Sequence, residues 1–413
     1  MNKNKRNMGI FFLGFLISGL GTVIYNFAIG LYVLQITGSG LTFSLTIMLS
    51  MIPRIIISPI AGILADKFSR KKFIILMDFL SSALLFTIFL ILKKTELTLP
   101  IIYITTFLLS TFNAFFSVNI DSLIPNLVDD DKLVKLNSID SFLDSLIKIV
   151  GPIIGGSLYL LFSIKDIIVV NAISFFISAI LEIFFKIDIS EKVNLGINKV
   201  KNSFFSDIKS SIIYIKNNKI VLFIIIDAMA INFIFMNLSI VIPYYCVNVI
   251  KLSAINYSII QSSLPFGMII ASLLFAIKKT NKILVFSEIY NKTLLIAFTH
   301  IALFILTLFS INNTYNNILL FLTIFIFGYL VCFIDILMNT SLQKNIVDEF
   351  RGRVSGLVTS LSQILSPIAV LIYGLLIENF SVSTTILFST TLFLVISFFF
   401  RKEKKYDKLI KRI

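Results

Sequence analysis

Charge is scarce in this chain. Asp, Glu, Lys and Arg make up 14% of its 413 residues while hydrophobic residues make up 57%, a balance that excludes a soluble protein and leaves no room for a soluble catalytic domain. Cysteine is nearly absent: Cys246 and Cys332 lie in or beside apolar segments without CxxC spacing, which excludes a disulfide framework. There is a single histidine, His300, with no nucleophile placed near it and no cluster of metal ligands, so the expectation is a protein that is not an enzyme and holds no metal or cofactor. No glycine-rich loop with its phosphate-binding lysine is present, which argues against an ATP-driven pump.

What is present is a series of apolar runs, each long enough to cross a hydrocarbon core of ~30 Å at ~1.5 Å per residue. Twelve spans are predicted, at about 9–34, 41–64, 73–92, 99–120, 138–162, 167–185, 220–243, 255–277, 292–311, 318–340, 354–377 and 383–400. The fold class is therefore an all-α membrane protein. The basic start Met1–Arg6 has the look of a signal peptide, but the run after it is too long, too glycine-rich and without a cleavage site, so it reads as a retained first helix.

An even count puts both termini on one side, and the basic residues say which. Lys93, Lys94, Lys165 and Lys251 fall in loops after odd-numbered spans, Arg54 and Lys148 fall within spans, and Lys292 is the first residue of span nine, at its border with the loop after span eight. All the other Lys and Arg lie in the termini or in loops after even-numbered spans. Both termini are expected to be cytoplasmic. The net charge of +14 is then a consequence of topology and needs no nucleic acid.

The longest connection, residues 186–219, separates an expected bundle at 1–185 from a second at 220–413, which ends in a basic tail. Within it, Phe204 to Lys216 alternates apolar residues with lysines at helical spacing, as in an amphipathic helix on a membrane surface. The halves carry an internal repeat. Ser122-Leu123 through Asn126-Leu127-Val128-Asp129-Asp130 returns as Ser341-Leu342 through Asn345-Ile346-Val347-Asp348-Glu349, and each copy leads into a helix with a late proline, Pro152 or Pro367. Chance similarity within an apolar composition is the other reading. If the repeat is real, it implies two parallel six-helix pseudo-repeats with a path between them.

One stretch organises the first half: Gly62-Ile-Leu-Ala-Asp66-Lys-Phe-Ser-Arg70-Lys71-Lys72, a charge-dense turn between two spans. It resembles the loop between the second and third helices of major facilitator superfamily transporters, with Gly62, Asp66 and Arg70 at the family's positions and Ser69 where the family usually has glycine. Gly151-Pro152-Ile153-Ile154-Gly155-Gly156 resembles the glycine-proline motif of that family's drug-proton antiporters, although Phe142 stands where an upstream glycine is usual. Phe116–Asn137, Asn171–Phe175, Arg351–Val354, Pro53 and Pro59 are similar to the branch of macrolide efflux proteins and enterobactin exporters.

The resemblance covers nearly the whole chain. It implies an exporter of amphipathic small molecules that works by alternating access, exchanges substrate for protons, and acts as a monomer in a bacterial plasma membrane. In such proteins Asp66 and Arg70 join a carboxylate at the inner end of helix four, here Asp121, to latch a gate. Topogenic charge alone is the other reading. The Gly151–Gly156 segment serves as an interface hinge or simply as helix packing.

Ionisable groups in spans cost at least ~2.5 kcal/mol each and ask for a partner or a role. Asp227, with Asn232 and Asn237 on the same span, is a candidate for proton or cation exchange, or else one half of an ion pair. Arg54, midway along span two, is a structural clamp or a substrate anchor, with Asp227 and Asp335 as candidate partners. Asn26 and Asn113 complete the candidate cavity. Asp140, Asp144 and Lys148 share one helix face, where Asp144 and Lys148 form an intrahelical pair or a proton relay. Rival functions keep the fold and change the ligand to a lysophospholipid or a peptide, or make the chain a non-transporting sensor or immunity protein.

Overall fold

The structure is a computed structural model that describes residues 3–67, 69–186, 212–277, 286–309, 313–346, 357–358 and 360–403. Twelve long helices appear: α1 (Lys3–Thr37), α2 (Gly40–Lys67), α3 (Arg70–Leu92), α4 (Leu99–Leu127), α5 (Asp130–Leu161), α6 (Ile164–Ile183), α7 (Lys219–Tyr244), α8 (Ala254–Ile277), α9 (Phe286–Phe309), α10 (Thr314–Asn345), α11 (Ser366–Asn379) and α12 (Val382–Glu403). The described residues contain no strand. Eleven helices among them are long and apolar enough to cross a membrane, and Val382–Phe398 adds a shorter one.

These helices turn apolar side chains outward. Phe86, Ile104, Leu308 and Phe309 expose 51%, 61%, 55% and 67% of their surface, which water would penalise and lipid does not. Between the helices, short connections are closed by local chemistry. Gly38 takes a left-handed φ of 63° just after α1 and its N–H donates to Leu34 O at 2.9 Å, a C-terminal stop that a side chain would strain. Helix α6 starts from a capping box in which Ser163 and Asp166 each satisfy the other's backbone amide. Helix α7 ends in a π-helical turn, Tyr245–Val249, and α11 begins at Ser366-Pro367, with proline in the first turn where its missing N–H costs nothing. In span eleven, residues 357–358 and 360–363 are also helical, and a turn at 364–365 interrupts the helix just before α11.

Two compact units form. Unit 1 holds α1 and α3–α6, most of α2, and Ser253–Ser262 at the start of α8; unit 2 holds α7 and α9–α12, the rest of α8, and Ser39–Ser44 at the start of α2. The units thus do not follow the chain cleanly. Bare backbone explains the exchange: Gly156 of α5 lies against Ala254 O and Ser258, while Gly374 of α11 lies against Leu41 and Ser44.

Inside unit 1 the main pairs are α3 with α6, α1 with α6, α1 with α5, and α3 with α4. Unit 2 repeats them six helices later, as α9 with α12, α7 with α12, α7 with α11, and α9 with α10. Of the expected amphipathic helix in the long connection, only residues 212–217 are described, and they are helical; the rest lies outside the described residues.

Candidate functional site

Unit 1 contains a cavity of about 210 Å³ whose wall is mostly hydroxyls and amides. Helix periodicity builds it. Thr106, Ser110, Asn113 and Ser117 recur every three or four residues and so form one stripe of α4. Ser50 and Arg54, four apart on α2, and Thr22 and Asn26, four apart on α1, face the same space. Helix α2 is held to α4 by the Ser110 hydroxyl, which donates to Ser50 O. Helix α6 closes the back wall with Asn171 and Phe175. Gly21 allows that closure, because a Cβ there would collide with Asn171 and Ser174.

The cavity gathers three residues marked from sequence, Asn26, Arg54 and Asn113, all of them exposed. The lining residues not marked as site residues from sequence include Asn171 on α6. Asn171 is 1% exposed. Its Oδ1 accepts from Ser174 Oγ at 3.0 Å, and its Nδ2 finds no hydrogen-bond partner among the described residues. A buried amide donor left open on a cavity wall costs ~1–3 kcal/mol unless a ligand or water takes it.

Arg54 lies within electrostatic reach of Asp121, which in turn interacts with Asp140, and Asp140 with Asp144. The chain of charges ends in the Asp144–Lys148 ion pair at 2.7 Å. The partners considered from sequence, Asp227 and Asp335, belong to unit 2; the carboxylate placed beside Arg54 in its own unit is Asp121.

In unit 2, Asp227 is half-buried and Asp335 exposed. Asn232 Nδ2 donates to Ser362 O at 3.2 Å. Asn237 is fully buried, with its amide donating to Thr385 O at 3.4 Å and to Ser389 Oγ. Asp227, Asn232 and Asn237 do not form one stripe, because steps of five residues do not return to the same face of a helix with 3.6 residues per turn. Asn237 instead binds α7 to α12.

Of the gating residues, Gly62 and Asp66 lie on α2, but their side chains fall outside the described residues. Arg70, at the start of α3, donates from Nη1 to Ser122 O at 2.9 Å, which ties α3 to α4 one residue past Asp121. Ser69 caps α3 at φ −64°, a conformation open to any residue, so the family's glycine is not needed there. In α5, Gly151 meets Val23, and Gly155 meets Ile24 and Phe27 of α1; with Gly156 on α8, all three glycines of the motif fill contacts that a Cβ would crowd. Pro152 sits inside the helix between them.

Arg6 and Lys71 do more than mark a membrane face. Arg6 Nη2 donates to Phe184 O at 2.5 Å, and Lys71 Nζ donates to Ile183 O at 2.7 Å and to Phe185 O at 2.8 Å. Asn7 Nδ2 donates to Leu127 O and Lys186 O, each at 2.7 Å. Together they cap the C-terminal end of α6 and the end of α4, where unpaired carbonyls favour cations and donors.

Many apolar crossing helices, with hydroxyls and amides gathered in a cavity between four of them, define a membrane transporter. The model of the Major Facilitator Superfamily matches residues 11–370, and the chain belongs to that superfamily. Two relatives named macrolide efflux protein A are similar to it. The one from Streptococcus pyogenes is 23% identical over 388 residues, covering 92% of each chain. The one from Enterococcus faecalis is 23% identical over 338 residues, covering 80% of this chain and 99% of the relative. Among solved structures, the nucleoside transporter NupG superposes with a TM-score of 0.68 at 15% identity, covering 98% of this chain and 100% of that one.

Proposed function

We propose that this transporter exports amphipathic, oxygen-rich small molecules of the macrolide kind in exchange for protons, by alternating access, as a monomer in a bacterial plasma membrane with both termini cytoplasmic. The observation that carries the reading is the cavity wall: Asn26, Arg54, Asn113 and the open amide of Asn171, about midway along their helices. These groups suit lactone, hydroxyl and glycosidic oxygens. A lysophospholipid tail would call for a wall of Phe and Ile, and this wall has only Phe175, Leu109 and Ala114 as purely apolar members. At about 210 Å³ the cavity is smaller than the ~300–1,000 Å³ of drug-sized pockets, so in unit 1 it engages one polar face of a larger molecule. The relatives named for macrolide efflux support the same substrate class.

Asp227 carries the proton in this reading, since a half-buried carboxylate within an apolar helix can trade its charge for a proton as its surroundings change. The test is an accumulation assay with macrolides, siderophores and dyes in cells lacking their own exporters. Lower accumulation of macrolides on expression, restored to control by Arg54→Gln, supports the reading. Unchanged accumulation across the panel, with the protein folded in the membrane, rejects it.

A further inference from the structure

Unit 1 holds a second set of ionisable groups, away from the cavity, in the contact between α3 and α6. The register of that antiparallel pair is fixed at three levels. Ser82 Oγ donates to Ala172 O at 2.8 Å, the Phe79 and Phe176 rings meet at 5.5 Å, and Lys71 reaches Ile183 O and Phe185 O. Between these levels the register sets Asp78 opposite Ser178, with Glu182 one turn further along the same face of α6. Asp78 is 3% exposed, Ser178 0% and Glu182 4%. Helix α1 seals the third side, with Gly14 close against Ser178.

Three polar atoms there, Asp78 Oδ2, Ser178 Oγ and Glu182 Oε2, are buried without a well-formed hydrogen bond among the described residues, while Asp78 lies within side-chain reach of Ser178 and interacts with Glu182. The other charged groups on these helices and on those packed around them are Lys3, Lys5 and Arg6 on α1, Arg70, Lys71 and Lys72 on α3, Asp121 on α4, and Lys165 and Asp166 at the opposite end of α6. Arg6 Nη2 and Lys71 Nζ donate to the carbonyls of residues 183–185, just past Glu182, and to neither carboxyl, and Arg6 Nε is buried without a hydrogen-bond partner among the described residues. Two buried carboxylates facing each other with no cation between them pay both desolvation and mutual repulsion. A hydrogen between their oxygens removes the repulsion and satisfies an open acceptor, and the Ser178 hydroxyl can donate to another. A metal ion is the poorer occupant, because the described residues contain no group of three or more metal-ligating side chains.

We propose that Asp78, Glu182 and Ser178 form a proton-binding site inside unit 1, in which the two carboxyls share one proton beneath the cap made by Arg6 and Lys71. The site is independent of Asp227 and of what the cavity carries. It binds whether or not substrate is present, and its proton leaves only when the cap over the end of α6 opens to water.

Infrared difference spectroscopy of the purified full chain in lipid nanodiscs tests this. At neutral pH the wild type is expected to show the carbonyl stretch of a protonated carboxyl. The double variant Asp78→Asn with Glu182→Gln is expected to lose it, each single variant to shift its frequency, and Asp227→Asn to leave it in place. A band unchanged in the double variant, or absent from the wild type, overturns the proposal. So does a band abolished by added sodium at constant pH, which would identify a cation site. Should the double variant fail to fold, the single variants decide, and a wild-type band in both of them overturns the proposal.

Discussion

The residues that matter most here are polar side chains that spend their hydrogen bonds across helices. Asn7 is fully buried near the start of α1. Its amide serves the ends of both α4 and α6, and its Oδ1 accepts from Lys186 N at 3.0 Å. Asn7→Ala strands those groups in an apolar setting, and the expected loss is ~1–3 kcal/mol. It is read as a clear fall in melting temperature of the detergent-solubilised protein. Exposed Lys5, two residues away, is the control, and Lys5→Ala should change stability by no more than ~0.5 kcal/mol. In the sequence, Arg6 and Lys71 look like charge that orients the chain, and nothing in one dimension shows that their donors end on carbonyls at the far end of α6.

Some residue roles were legible and others were not, for physical reasons. Lys148 four residues after Asp144 can meet it only on a helix, and does so. Asn26, Arg54 and Asn113 stand out because amides and charge are expensive in an apolar run. The Thr106, Ser110 and Ser117 stripe is silent, since hydroxyls in membrane helices can bond back to their own turn. Asp78 and Glu182 were readable by the same cost argument as Asp227, each being a lone carboxylate in an apolar span. Their proximity, however, depends on the antiparallel register of α3 and α6, which no spacing in the sequence records.

At the scale of elements, apolar length gave the helices and small residues set their contacts. The predicted spans agree with the helices to within several residues except where local chemistry intervenes. Helix α5 begins at Asp130, well before its apolar run, and α11 is interrupted just before Pro367. Where α5 meets α8 there is room for a hydrogen only, so Gly156→Leu forces Ser258 and the Ala254 carbonyl apart. A cost of ~1–3 kcal/mol is expected from such overpacking, together with loss of export at normal expression. Ser163→Ala removes one arm of the capping box on α6 and should cost ~1 kcal/mol, with export retained. The pair distinguishes a contact that matters to transport from one that matters to folding alone, and both variants can be scored by melting and efflux on the same preparation.

At the scale of the whole molecule, the two units use one pairing scheme twice, the main helix pairs of unit 2 repeating those of the helices six places earlier. The internal repeat between residues 122–130 and 341–349 hints at this duplication, although residues 347–349 of its second copy lie outside the described residues. Their chemistry differs more than their architecture. Unit 1 carries the polar cavity and the string of charges from Arg54 to Lys148, whereas the marked asparagines of unit 2 are spent on bonds between its own helices. The proposed function therefore places substrate recognition in unit 1 and proton exchange at Asp227 of unit 2.

The most direct measurement is uptake of a radiolabelled macrolide into inverted membrane vesicles under an imposed proton gradient, acid inside. The wild type should concentrate the drug and lose that ability when the gradient is collapsed. Arg54→Gln should abolish uptake, and Asp227→Asn should leave drug binding while removing the response to the gradient. Gradient-driven uptake that persists undiminished in both variants would contradict the account.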